Sequence, residues 1–202
     1  MKQVAILIPA AGRSSRMGGR DKLLEEVDGA ALLRRQARLA LGTGAPVLLT
    51  LPRDQPARRA ALHGLKGLRL VEPDDAGEGI SASVRVGAAW AAMIGAQGLM
   101  ILLADMPELR AEDLSRMLQA FGATPRAALR ATDTTGRPGH PVIVPARLFP
   151  ELQHLRGDTG ARSLLARQEV AEIALPGTRA TTDLDTQEDW ARWRKAKGQT
   201  PD

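Results

Sequence analysis

The chain has 202 residues, 44% hydrophobic and 25% charged, the usage of one ordinary folded domain, which argues against long-range disorder. It contains no cysteine, so thiol catalysis, disulfides, zinc fingers and iron–sulfur clusters drop out; aromatic residues at 2% leave little for stacking on single-stranded nucleic acid. Lys+Arg number 28 against 23 Asp+Glu, and the surplus is scattered, which favours small phosphates over nucleic acid as partners.

From the amino terminus, Val4–Ile8 is a five-residue apolar run that meets Pro9. It is short for a signal peptide and reads as a buried first strand, so the expected location is cytoplasmic. Helical spacing over Ala30–Leu41, Ala57–Leu65 and Ser81–Ile94 alternates with the buried strands Val47–Leu51, Leu68–Val71 and Leu99–Leu103. Val86–Ala104 has no charge and is long enough to raise a membrane span. The Gly95-Ala96-Gln97-Gly98 break divides it into helix and strand instead. A helix over Asp113–Phe121 and a strand over Ala127–Ala131 continue the rhythm. The pattern predicts an α/β fold, a mostly parallel central sheet with helices on both faces, in a single domain over 1–197. Residues 1–131 form its first part. From 132 to 197 the rhythm changes: a turn at 134–139, a strand Pro141–Val144, a helix Ala161–Gln168, a strand Val170–Leu175 and a closing helix Thr186–Ala196. Residues 198–202 are expected to fray.

In such sheets ligands bind beyond the carboxyl ends of the strands. The loop after Ile8 runs from Pro9 to Lys22 with Ala10, Ala11, Gly12, Gly18 and Gly19, and carries Arg13, Arg16, Arg20 and Lys22. Small residues let backbone N–H groups approach a ligand, and the cations suit a triphosphate. A solvated basic turn is the plainer alternative. It is not a Walker A loop, because Gly18 follows Gly12 by six positions and no Gly-Lys-Ser/Thr follows. Leu99–Leu103 runs into Ala104-Asp105-Met106-Pro107, placing a carboxylate just past an apolar strand, where it needs a partner such as Mg²⁺ on a triphosphate or serves as a loop acid. Gly77-Glu78-Gly79-Ile80-Ser81-Ala82 matches a dinucleotide fingerprint. Pro73-Asp74-Asp75 separates it from its strand, however, and Glu78 would stand beside the pyrophosphate. Thr186 with Asp189 reads as an N-cap pair, which leaves Asp185 unexplained.

Pro9-Ala10-Ala11-Gly12, then Arg16-Met17-Gly18 and Lys22, resemble the signature of the MobA-like nucleotidyltransferases. Pro9 stands where Leu is usual, as in the related cytidylyltransferases of isoprenoid synthesis. The resemblance runs from Val4 to Trp190 and implies a Rossmann-like nucleotidyltransferase fold whose first loop wraps a nucleoside triphosphate. By that likeness Arg16 and Lys22 contact the phosphates, and Ala10, Ala11, Gly12, Arg13 and Gly77 belong to the nucleotide site. Leu103-Ala104-Asp105-Met106-Pro107 is similar to the family's metal motif, with Asp105 as a Mg²⁺ ligand. Asp183-Leu184-Asp185-Thr186 resembles the segment of the second ligand, Asp185, with Gln187 in place of the usual Pro. Ser81-Ala82-Ser83-Val84 resembles the base-reading segment and implies that Ser83 contacts a pyrimidine.

Gly139-His140-Pro141-Val142 and Gly157-Asp158-Thr159-Gly160-Ala161-Arg162 resemble the molybdenum cofactor cytidylyltransferase branch. That implies His140 and Arg162 at the acceptor, although a lone histidine is more often structural. The resemblance implies CMP transfer from CTP to molybdopterin with release of pyrophosphate, Lys22, Arg16 and Asp105 acting in catalysis. A molybdenum hydroxylase could receive the product, and neither nucleic acid nor a membrane is expected as partner. Because the guanylyl branch tends to carry Gly-Gly where this chain has Ala10-Ala11-Gly12, the extra methyl is expected to narrow the base slot against a purine. The alternatives are GTP as donor, a sugar or polyol phosphate as acceptor, a non-catalytic cofactor carrier, or a dinucleotide-binding oxidoreductase.

Overall fold

The computed structural model describes residues 4–12, 17–75, 78–157 and 160–198. Strands β1 (Val4–Pro9), β4 (Val47–Thr50), β5 (Leu68–Val71) and β6 (Gly98–Ile101) pair in parallel in the order β5-β4-β1-β6. The sheet continues through β8 (Pro138–Pro145), β7 (Ala128–Thr132) and β9 (Val170–Ala174) to seven strands, among which β8 alone runs against its neighbours. The mostly parallel α/β sheet expected from the alternation is therefore present.

The alternation of β1 between faces explains the layering. Ile6 and Ile8 join a core with α1 (Leu32–Leu41) and α4 (Ala111–Ala123), through Leu33, Ala37, Leu114, Met117 and Phe121. Ala5 and Leu7 face the opposite core, packed by α3 (Ile80–Met93) through Val84, Ala88 and Trp90 and by the short α5 (Phe149–Leu152). Fully burying each such aliphatic side chain contributes about 1.5–3 kcal/mol, which is why the sheet interior needs almost no aromatic residues. A third cluster joins Met17, Val27, Leu32 and Leu184 to Trp190 and Trp193 of α7 (Gln187–Ala196), so the closing helix packs onto the first loop. No described helix is long and apolar enough to cross a membrane.

Several expected bounds shift. The helix read over Ala30–Leu41 begins at Leu32, because Ala30–Ala31 is β3 and pairs antiparallel with β2 (Glu26–Val27). Asp28 and Gly29 turn this hairpin at positive φ (52° and 76°), the geometry that Asp-Gly favours. The helix read over Ala57–Leu65 is α2 (Pro56–Ala61), and that over Ala161–Gln168 shrinks to α6 (Arg162–Leu165). Pro138–Pro145 is a full strand where only Pro141–Val144 was read.

Gly98 is fixed by packing. A Cβ there would lie 2.6 Å from Phe121 Cζ and 3.1 Å from Ile143 Cγ2, both on fully buried side chains. Gly98→Ala should therefore cost about 1–3 kcal/mol. In thermal unfolding that is about 2–4 °C for each kcal/mol, and an unchanged melting temperature would contradict this packing.

Candidate active site

The strand order reverses between β1 and β6, and the loops leaving their carboxyl ends define the crevice. Lys22, from the first loop, donates to Asp105 Oδ2 at 2.6 Å and Asp185 Oδ1 at 2.5 Å. Asp105 follows β6, and the Leu184 amide donates to its carbonyl at 3.2 Å. The segment of Asp185, eighty residues further on, thus lies beside Asp105, with Leu184 also packed into the third cluster. Thr186 then caps α7, with Thr186 and Asp189 exchanging hydrogen bonds as the sequence suggested.

Burial alone would lower the Lys22 pKa. The charge and hydrogen bond of Asp105, then those of Asp185, outweigh it and hold the ammonium above its ordinary range. Asp183 is pushed up, first by desolvation and then by the negative charge of Asp105. Asp105 Oδ1 is buried with no hydrogen-bond partner among the described residues. A carboxylate pair already bracketing one cation, with one oxygen in reserve, suits a hard divalent ion. No cluster of three or more His, Asp or Glu able to hold a metal occurs among the described residues. Two carboxylates completed by phosphates and water are the donor set Mg²⁺ commonly takes.

Around this centre the expected nucleotide residues divide. Ala10 and Ala11 continue β1 and are buried, while Gly12 is exposed. Both methyls are thus covered by protein. Ser83 is 1% exposed and its Oγ accepts from Thr50 Oγ1 at 2.8 Å; Thr50 Oγ1 in turn accepts from the Ala10 amide at 3.3 Å. Its hydroxyl therefore supports the loop from behind and does not open onto the crevice. Arg13, Arg16 and Gly77 lie outside the described residues.

His140 and Arg162 line one cavity of about 520 Å³, together with Arg130 and Arg137. A smaller cleft of about 190 Å³ shares Arg137 and His140 with it and is bounded by Asp183, so the cavity borders the acidic centre. Burial pushes the His140 pKa down; its hydrogen bond to the Ile101 carbonyl and the charge of Asp105 oppose this without reversing it. The imidazole is thus neutral near pH 7, and the arginines carry the positive charge. Gly139 is required where β8 passes the 180 turn, since a Cβ would lie 1.8 Å from the Ala180 carbonyl oxygen.

Asp133 shapes the turn that presents Arg137. It accepts from the Thr135 hydroxyl at 2.6 Å, the Thr135 and Arg137 amides, and Thr181 Oγ1. The Thr135 hydroxyl bond leads in lowering its pKa from 3.8 to about 2. A folded value below the unfolded one means that this turn's stabilisation is complete above pH 3.8 and disappears as pH falls toward 2. The Asp133 carboxyl should titrate near 2 by NMR; a midpoint at the ordinary value would refute the bonding described.

Sequence reasoning missed Arg58 and Arg130, and quoted Arg137 and Asp183 without assigning them. Arg130 left a faint signal as a charge within an apolar strand. Arg58, on a helical pattern, left none.

The MobA-like NTP transferase domain model matches residues 6–173, more than half of the chain. The chain belongs to the MobA-like NTP transferase family. It is 29% identical to the purine catabolism protein PucB of Bacillus subtilis, over 93% of this chain and 94% of that one. It is 33% identical to a molybdenum cofactor guanylyltransferase of Pseudomonas aeruginosa, over 96% of each. Among solved structures, Rv0371c of Mycobacterium tuberculosis superposes with a TM-score of 0.82 at 30% identity, covering 96% of this chain and 98% of that one. A complex of Rv0371c with manganese gives 0.79 at 29%, covering 96% and 99%. As a member of this family the chain is a nucleotidyltransferase, with the family's sheet and Lys22, Asp105 and Asp185 gathered at its crevice.

Proposed function

We propose that the chain transfers CMP from CTP to the phosphate of a molybdopterin-type acceptor, with Mg²⁺ and release of pyrophosphate. The observation that carries this reading is the Lys22 ammonium held between Asp105 and Asp185, beside a cavity that three arginines line. A phosphate monoester is already anionic near neutral pH, so no base is needed. The protein's work is positioning and charge neutralisation. Arg130, Arg137 and Arg162 would orient the acceptor phosphate, and Lys22 would neutralise charge gathering on the leaving pyrophosphate. Asp105 and Asp185 would hold Mg²⁺, which when bound screens the triphosphate. A cofactor carrier without catalysis would have no use for this bracket. The crossing of an acceptor cavity with a cation-binding centre also suits transfer better than hydride chemistry.

CTP rests on the likeness of Gly139-His140-Pro141-Val142 and of the 157–162 segment to the cytidylyl branch. A second reading, GTP, is favoured by the relatives named molybdenum cofactor guanylyltransferase. Pyrophosphate release with molybdopterin and each of CTP, GTP, UTP and ATP decides between them. CTP should turn over fastest, and equal or faster use of GTP would end the cytidylyl assignment. Arg137→Ala should raise the acceptor KM about tenfold while leaving the nucleotide KM in place, as expected for loss of a charge-assisted contact to one substrate.

A further inference from the structure

We propose that Arg58 is a positioning residue for the nucleotide, a single guanidinium that ties the backbone after β1, at Ala10 and Gly12, to Asp21 beside Lys22. Its place is unusual for an arginine: it is 1% exposed. It projects from the short α2 into the first loop and grips both ends of it. Nη1 donates to the Ala10 carbonyl at 2.7 Å and the Gly12 carbonyl at 2.8 Å. Nε and Nη2 form a fork onto the two oxygens of Asp21, at 2.5 and 2.9 Å. Asp21 in turn accepts from the Leu23 amide at 3.1 Å, closing the turn that carries Lys22. One side chain thus spaces the start of the loop against the residue next to the ammonium at the centre of the site.

Two consequences follow for an anionic ligand. In a trans peptide the C=O and the following N–H point in opposite directions, so drawing the Ala10 carbonyl onto Arg58 aims the Ala11 N–H away from the scaffold. Accepting a charged donor also polarises that peptide and makes its N–H a better donor. In addition, Arg58 neutralises Asp21, a carboxylate that would otherwise repel a triphosphate within the same loop. A lysine cannot substitute, since it offers a point charge and no fork.

The inference rests on the nucleotidyltransferase reading, and the experiment separates the two. Arg58→Lys and Arg58→Met, studied well below their melting temperatures, should bind CTP at least about tenfold more weakly, with KM rising more than kcat falls. In the unliganded variants the backbone amides of residues 10–12 should exchange hydrogen faster than in wild type. Adding Asp21→Asn to Arg58→Met should restore part of the lost affinity, because one negative charge is removed from the loop that receives the triphosphate. CTP affinity of Arg58→Lys within twofold of wild type, no recovery in the double variant, or unchanged exchange at 10–12 would each overturn the proposal. If wild type binds none of the four nucleoside triphosphates, the nucleotidyl reading falls, and the exchange measurement alone still judges the clamp.

Discussion

Asp105→Asn should lower kcat for pyrophosphate release by about 100- to 1000-fold, the range for removing one preorganised electrostatic contact from a reacting centre. The substitution keeps the side chain's volume. It replaces the carboxylate that receives Lys22 at 2.6 Å with an amide whose NH₂ cannot accept, and it removes one of the two negative charges suited to a divalent ion. The fold should survive, since Asp105 stands at the mouth of β6 and its carbonyl, which anchors Leu184, is retained. Turnover within tenfold of wild type, with a matching melting temperature, would remove Asp105 from the reacting centre.

Lys22→Met should have two opposed effects. Turnover should fall by a similar factor, because no ammonium remains to meet the leaving group. Binding of Mn²⁺ without nucleotide should strengthen about tenfold or more, read by the loss of free-ion signal in electron paramagnetic resonance. The reason is electrostatic: the ammonium occupies the space between Asp105 and Asp185, and without it two partly buried carboxylates face one another. The melting temperature of the variant should rise with Mn²⁺ more steeply than that of wild type, since an ion that binds only the folded state stabilises it by mass action. Because Asp105 and Asp185 hold the Lys22 pKa above its ordinary range, the contrast should persist through neutral pH. Unchanged Mn²⁺ affinity in Lys22→Met would mean that the lysine does not occupy the cation's place.

The parallel half of the sheet was legible because Val4–Ile8 and Val47–Leu51 are apolar without alternation, the mark of strands covered on both faces. The reversal of β8 was not. Strand direction depends on where the chain re-enters the sheet, and Pro138–Pro145 carries no local sign of that. The β2–β3 hairpin was missed although Asp28-Gly29 announces a turn, because two residues on each side are too few for a readable period. In the site, the residue types of Lys22, Asp105 and Asp185 were visible as motifs, whereas their meeting is a tertiary arrangement, with the Leu184 amide on the Asp105 carbonyl and Leu184 packed on Met17 and Trp190. Arg58 was illegible for a general reason: on a helical pattern an arginine reads as solvated face, and only tertiary partners turn it inward. Ser83, which the motif's resemblance puts on the base, is buried and accepts from Thr50, a contact that the motif does not announce.

The closing helix gives the molecule a temporal property as well as a spatial one. Trp190 and Trp193 pack on Met17, and the Gln187 side chain donates to the Met17 carbonyl at 2.9 Å. Asp185 is contributed from the same late stretch. Because synthesis proceeds from the amino end, a chain still on the ribosome would already hold its parallel strands and both Lys22 and Asp105, yet lack the floor of its first loop and the second arm of the bracket. The bracket around Lys22 is therefore complete only once residues 185–193 have been made and have folded back onto Met17.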